Sequence, residues 1–384
     1  MVEILFQKAR GDRWIWLVAI LLSVFSILAV YSSTGTLAYL SANDGFTFAY
    51  LFRHGSVIVA GLVLMYIAHL INHRYYSRVA QVLLYVSIPL LLYTLFFGSS
   101  INQASRWIMI PVINETFQTS DLAKLALYMF LARELTKRQE KIKNFKEGFL
   151  PIFVSILAVC GLIAPANLST ALMVFGTSVL LLLIGRVSIR QIAIVCLAGG
   201  ILVAGVVFLG PRRGVYKARV NSFLHPETAH ADDTYQIDQA KIAIASGGTF
   251  GKGPGNSTQR NFLPSPYADF IYAVIIEEYG LLIGGAGVIV LYLIFLFRSV
   301  KIVVKSPKAF GALLAAALSF SLVIQAFANM AVATNLFPVT GVSLPLVSMG
   351  GTSILFTSLA FGIILSVSRD VEENDEMVSN DNSL

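Results

Sequence analysis

The stretch PSPYADFIYAVIIEEYG, residues 264–280, sets three carboxylates in and beside an apolar run. Asp269 stands at its entrance, and Glu277 and Glu278 stand within it. A charge inside a membrane span is costly and normally faces a cavity, a partner or a pathway. A carboxylate at the mouth of such a run has two readings. It is an acid of the first helical turn, favoured by the dipole, or a general base that takes a proton from a bound hydroxyl. On an ideal helix the glutamates lie roughly 12 Å deeper than Asp269. Glu277 falls about 80° round the axis from it and Glu278 about 180°. The two cannot both share its face, so one is expected to pair with another helix and the other to reach a cavity.

Other segments supply the rest of a polar site. Asp121 and Lys124 form an i, i+3 pair on one face of an apolar segment. Arg106 precedes them in ASRWIMI. NMAVATNLFPVTGVSLPLVSMGGTS combines Pro338, Pro345, the pair Gly350–Gly351 and many hydroxyls. Such irregular backbone is tolerated at membrane depth only where protein or water covers it. Together these predict a polar, outward-opening cavity, with Asp121, Glu277, Glu278, Gly350 and Gly351 as parts of its structure. GGTFGKGPGNSTQRNFLP places five glycines between Gly247 and Gly255. They permit positive φ and close backbone approach, and exposed N–H groups there could cradle an anion. No GKS or GKT follows, so it is not a Walker A loop.

These residues sit in a chain of 384 residues that is 56% apolar and 13% charged, with mean hydropathy +0.75. The expected fold is an all-α polytopic membrane protein. Ten runs are long enough to cross a bilayer: 14–34, 52–72, 79–98, 117–135, 149–166, 168–186, 190–210, 269–297, 309–332 and 343–368. No cleavage site follows the first, which reads as a retained anchor. With both termini in the cytoplasm, 18 of the 28 Lys and Arg fall inside, six of them in RELTKRQEKIKNFK. Residues 1–368 read as one transmembrane domain. Residues 369–384 read as an acidic, flexible cytoplasmic tail.

One connection is long. The outer loop at 211–268, between spans seven and eight, holds seven basic residues against four acidic ones, which points to an anionic partner. GVYKARVNSFLHPE and TYQIDQAKIAIASGG within it suit short surface helices. The net charge of +7 is mostly inside bias, and no basic–aromatic patch accompanies it, so nucleic acid is not an expected partner. Cys160 and Cys196 lie in apolar spans and read as small core residues, not as a disulfide or metal pair.

RWI with FQTSDLAKL, ARVNSFLHP, YQIDQAKIAIASGGTFGKGPGNSTQ, FLPSPYADFIYAVIIEEYG and FPVTGVSLPLVSMGGTS jointly resemble the SEDS family (shape, elongation, division and sporulation). The resemblance spans all ten runs, and GPGNSTQ is more similar to the cell-division branch than to the elongation branch. The chain departs from the family pattern at QTSD, where QPSE is usual, at PANLST and at SMGGTS. The resemblance implies a glycosyltransferase that polymerises lipid II in septal cell-wall synthesis. Asp269 would be the general base, the anomeric centre would invert, and undecaprenyl pyrophosphate would leave. Arg219, Lys241, Gly253, Gly255, Asn256, Ser257, Gln259, Arg106 and Lys124 would bind pyrophosphate or sugar. It also implies a divalent cation, Mg or Mn, with ligands unassigned, and no nucleotide cofactor. Expected partners are lipid II, the bilayer, a class B penicillin-binding protein transpeptidase and other divisome membrane proteins. The expected place is the bacterial cytoplasmic membrane at the septum. A lipid II flippase and a divisome scaffold are the alternatives.

Overall fold

The computed structural model describes residues 10–34, 47–101, 104–110, 115–227 and 231–381. In chain order the membrane helices begin with α1 (Arg13–Ser33), α2 (Thr47–Leu70), α3 (His73–Phe97) and α4 (Thr119–Lys137). Next come α5 (Leu150–Ile163), α6 (Leu168–Ile184) and α7 (Ile189–Leu209). The long connection after α7 holds α8 (Arg213–Leu224) and α9 (Ala231–Gly247), as its two amphipathic stretches predict. The chain returns through α10 (Ile271–Tyr279), α11 (Gly287–Lys305), α12 (Ala309–Ala333) and α13 (Gly351–Asp381). Among the described residues eight helices are long and apolar enough to cross a membrane, α10 and α11 counting as one through a π-helical segment at Gly280–Ala286. Two more helices stand at the other expected spans: α6, which is shorter, and α4, which forms despite Asp121 and Lys124.

The core is built around α12 and α13, whose spans are mostly buried, whereas α7 faces outward along most of its length. α12 reads AFGALLAAALSFSLVIQAFANMAVA, and its small residues let neighbours approach closely. α13 packs along α2 in the same way. A Cβ at Gly362 would lie 2.4 Å from the Met65 carbonyl, and one at Gly61 would lie 2.6 Å from Ser358 Oγ. The helices cross where neither glycine has a side chain. Gly362→Val forces the backbones apart and is expected to cost about 1–3 kcal/mol. The check is a lower thermal unfolding midpoint in detergent, and an unchanged midpoint would refute the close crossing.

Two features depart from the sequence reading. Residues 99–118 carry a small antiparallel sheet, β1 (Ser99–Ile101), β2 (Ala104–Ile110) and β3 (Glu115–Gln118), in the order β1-β2-β3. The sequence reading treats residues 99–116 as a connection between the third and fourth runs and assigns them no strand. Trp107 pairs with Gln118 across it, and the Gln118 N–H donates to Thr352 Oγ1, which ties the sheet to the start of α13. The acidic tail is also not a free coil in the described residues: α13 continues through Asp381. Asp370 pairs with Lys308 at 2.8 Å and Asp375 with Lys305 at 2.6 Å, while Glu372 accepts from the Gly11 N–H. Lys305, Lys308 and the Gly11 N–H thus give the tail's acids partners along the extension of α13.

Residues 334–350, between α12 and α13, are irregular, as the prolines and glycines predict, and buried mainly over 342–348. Side chains from three helices satisfy its carbonyls. On α12, Asn329 donates to Val342 O at 2.7 Å and Gln325 to Ser343 O at 2.9 Å. Tyr292 of α11 donates to Pro345 O, and Ser26 of α1 to Val347 O at 2.8 Å. These four carbonyls find protein donors, as irregular backbone inside a membrane protein requires.

Candidate active site

Asp269 lies in the turn before α10, not in its first turn. The cap position is Phe270, and no acid occupies the first turn. The reading of Asp269 as a helix-capping acid therefore fails. The turn is fastened to the irregular 334–350 segment. The Tyr267 carbonyl accepts from the Met349 N–H at 2.8 Å, and the Ala268 carbonyl accepts from Ser348 Oγ at 2.6 Å. The Asp269 carbonyl accepts from Asn329 Nδ2 at 2.9 Å. Gly341, at φ +65°, supplies the facing wall: a Cβ there would sit 3.6 Å from Asp269 Oδ2. Backbone contacts thus position Asp269, and its half-buried carboxyl group lines a cavity.

That cavity has a volume of about 560 Å³. Asp269, Asp121, Lys124, Arg219, Gly350 and Gly351 all line it, as expected. Lys124 Nζ lies 3.6 Å from Asp121 Oδ1 and donates to Gln325 Oε1 at 2.9 Å. Asp121 Oδ2 is buried without a hydrogen-bond partner among the described residues. Arg219 comes from α8. Burial pulls its pKa below the ordinary arginine range, the neighbouring Arg212 charge adds to this, and the Asp269 carboxylate opposes both. The guanidinium keeps its charge, so a fixed cation faces the candidate base. Arg212 itself donates to the Ala166 carbonyl at 2.8 Å and lines the same space.

Several expected site residues lie elsewhere. Lys241 is exposed on α9, 3.7 Å from Asp238. Arg106 falls on β2, and its side chain lies outside the described residues. Gly253, Gly255, Asn256, Ser257 and Gln259 do not line the cavity. Their loop packs on the end of α10, where the Lys252 and Gly253 N–H groups donate to the Glu277 and Glu278 carbonyls at 2.9 Å. A Cβ on Gly251 would meet the Glu278 carbonyl at 2.2 Å. The glycines there admit protein backbone, where the sequence reading expected an anion.

Glu277 and Glu278 do not line the cavity either. They hold this loop. Fully buried Glu277 accepts from Lys252 Nζ at 2.6 Å, Ser257 Oγ at 2.5 Å, Thr258 N at 3.1 Å and Gln259 N at 3.2 Å. Glu278 accepts from Ser257 N at 3.3 Å and from Ser32 Oγ on α1. The helical-wheel reading had one of them reaching the cavity. It took no account of a loop folding back onto α10.

The cavity also recruits residues that were not singled out for it: Arg53 and His54 of α2, Trp107 of β2 and Tyr267. Arg53 and His54 could have been found, because they are a polar pair at the edge of an apolar run. Asn329 had no such signal; its role exists only once the 334–350 segment folds back. Asn329→Leu strands the Asp269 and Val342 carbonyls and is expected to cost about 1–3 kcal/mol. The check is the thermal midpoint in detergent, and a midpoint equal to wild type would refute the bridge.

The sequence profile of the FtsW, RodA and SpoVE family, described as cell cycle protein, matches residues 12–373. A probable peptidoglycan glycosyltransferase FtsW of Geobacter sp. (strain M18) is 32% identical over 374 residues, covering 94% of this chain and 98% of its own. The protein of the same name from Geobacter metallireducens is 35% identical over 364 residues, with 94% and 95% covered. Stage V sporulation protein E of Bacillus subtilis is 30% identical over 372 residues, with 94% and 98% covered. Among solved structures, a chain reported under the structural coordination of polymerization and crosslinking by a peptidoglycan synthase complex superposes with TM-score 0.70. It is 25% identical, with 94% of this chain and 98% of that one covered. The rod shape determining protein RodA of Thermus thermophilus shares the fold, with TM-score 0.67 at 24% identity and coverage of 95% and 98%.

Proposed function

The chain belongs to the FtsW, RodA and SpoVE family of cell cycle proteins and is a peptidoglycan glycosyltransferase, and we propose that it polymerises lipid II with Asp269 as general base. The observation that carries this reading is a junction. The polar cavity holding Asp269 meets, at Arg219 and Met173, an apolar groove of about 990 Å³. Leu172, Val207, Val220, Leu224 and Phe337 are among its walls. A polyprenyl pyrophosphate sugar has the matching order of parts: tail in the groove, pyrophosphate at Arg219, sugar in the cavity.

The chemistry follows from this placement. The Asp269 carboxylate takes the proton of the acceptor's GlcNAc 4-hydroxyl. That oxygen forms a bond to C1 of the donor chain's MurNAc, inverting it. The bond from C1 to the pyrophosphate oxygen breaks, and undecaprenyl pyrophosphate leaves with the electron pair. Arg219, Arg212 and Lys124 are fixed positive charges suited to that leaving group. No group of three or more potential ligands clusters among the described residues. A magnesium ion, however, is commonly held by one or two carboxylates plus substrate phosphates. Asp121 Oδ2, without a hydrogen-bond partner among the described residues, would fit one protein end of such a bridge. A divalent cation bound there would add charge neutralisation at the pyrophosphate.

The resemblance also supports action in septal wall synthesis at the bacterial cytoplasmic membrane. It supports complexes with a class B penicillin-binding protein and other divisome proteins, in keeping with the synthase complex to which the fold is similar. The test supplies lipid II and magnesium to the purified protein with its transpeptidase and resolves the products by gel. Glycan ladders are expected. Their absence, with lipid II crossing vesicle bilayers, would replace the reading with a flippase.

A further inference from the structure

His54 is 3% exposed and forms part of the cavity wall. Its Nε2 lies 2.8 Å from Ser26 Oγ, and Ser26 Oγ donates to the Val347 carbonyl, also at 2.8 Å. A hydroxyl has one proton, and a carbonyl can only accept. The Ser26 proton is therefore committed to Val347, and Ser26 Oγ accepts from the ring. In the neutral ring this puts the proton on Nε2 and leaves the lone pair on Nδ1. Nδ1 of His54 is not among the buried polar atoms that lack a hydrogen-bond partner among the described residues. No hydrogen bond reaches it among the described residues.

The other wall groups include acceptors such as Asp121 and Asn167, and a set of cations. Arg53, Lys124, Arg212 and Arg219 are donors, matched to phosphate oxygens. Asp269 is taken up by the reacting hydroxyl. A sugar presents further hydroxyl and amide protons, and a neutral nitrogen acceptor binds these without repelling the pyrophosphate. We propose that His54 is a substrate-binding, specificity-determining residue, whose Nδ1 accepts a hydrogen bond from a non-reacting hydroxyl or amide N–H of the glycan. This rests on the glycosyltransferase reading above. His54 also props the Val347 backbone through Ser26, and the test must separate the two roles.

Lipid II is the probe, with the full chain and its transpeptidase partner. His54→Met removes the acceptor and is expected to raise KM about tenfold with kcat little changed. His54→Gln can donate its amide to Ser26 and turn its oxygen to the cavity, so it should restore most of the lost affinity. Ser26→Ala breaks the prop and leaves the ring, and should act on kcat. His54→Phe keeps the ring's bulk and serves if the methionine variant does not fold. The assignment is overturned if the apolar variants lower kcat at unchanged KM, as is expected of Ser26→Ala, or match wild type. It is also overturned if glutamine rescues nothing. Titrating labelled lipid II onto each variant in nanodiscs gives the same comparison without turnover. A wild type that binds but does not polymerise fails the glycosyltransferase reading alone, while equal Kd values for wild type and His54→Met sink the assignment to His54.

Discussion

Asp269→Asn is expected to lower the rate of glycan polymerisation by about 10²–10⁴-fold, the range a positioned general base contributes. Asparagine keeps the size and planarity of the side chain but cannot take the acceptor's proton. The backbone contacts that hold the turn should survive the change. Asn329, Ser348 and Met349 fasten the turn through the carbonyls of residues 267–269, none of them through the carboxylate. Arg219 loses an opposing charge but stays ionised. Lipid II binding should therefore survive, and the loss should appear in kcat with KM nearly unchanged. Ladders resolved by gel, alongside a thermal midpoint equal to wild type, provide the check. Undiminished polymer from the asparagine variant would remove Asp269 from the chemistry.

How far the sequence foretells this site depends on the range over which each residue's role is set. The spans are legible because twenty apolar residues in a row have few alternatives in water. The irregular 334–350 segment is legible because Pro338, Pro345 and Gly350–Gly351 cannot continue a helix. Asp269, Asp121 and Lys124 are legible as a cavity because a buried charge needs company. The glycine loop is the instructive failure. Glycine marks close backbone approach, but the sequence does not say what approaches. Here the neighbour is the end of α10: Cβ atoms at Gly247 and Gly251 would meet the Ile276 and Glu278 carbonyls at 2.3 and 2.2 Å. Asn329 and Ser26 were invisible for a related reason. Each meets its partner only across a long stretch of sequence or through a segment that returns on itself.

Glu277→Ala is expected to be the most damaging change outside the cavity. A buried carboxylate persists when its oxygens are fully hydrogen-bonded, and Glu277 receives N–H, O–H and ammonium donors from one loop. Removing it leaves Lys252 without its acid and the loop's N–H groups facing an apolar helix end. Breaking a buried pair in this way costs about 3–5 kcal/mol. Lys252 keeps 30% exposure, so the lower end applies. The loop runs directly into the turn that carries Asp269, so its loosening should spread to the site. Polymerisation should fall through kcat, together with a lower thermal midpoint and faster proteolysis near residues 252–260. Lys252→Met should cost less alone, and combined with Glu277→Ala it should add little, because the ammonium no longer needs a partner. Strict additivity of the two changes would show that the pair is not the anchor. A glutamate variant with normal stability and no activity would place Glu277 in the chemistry instead.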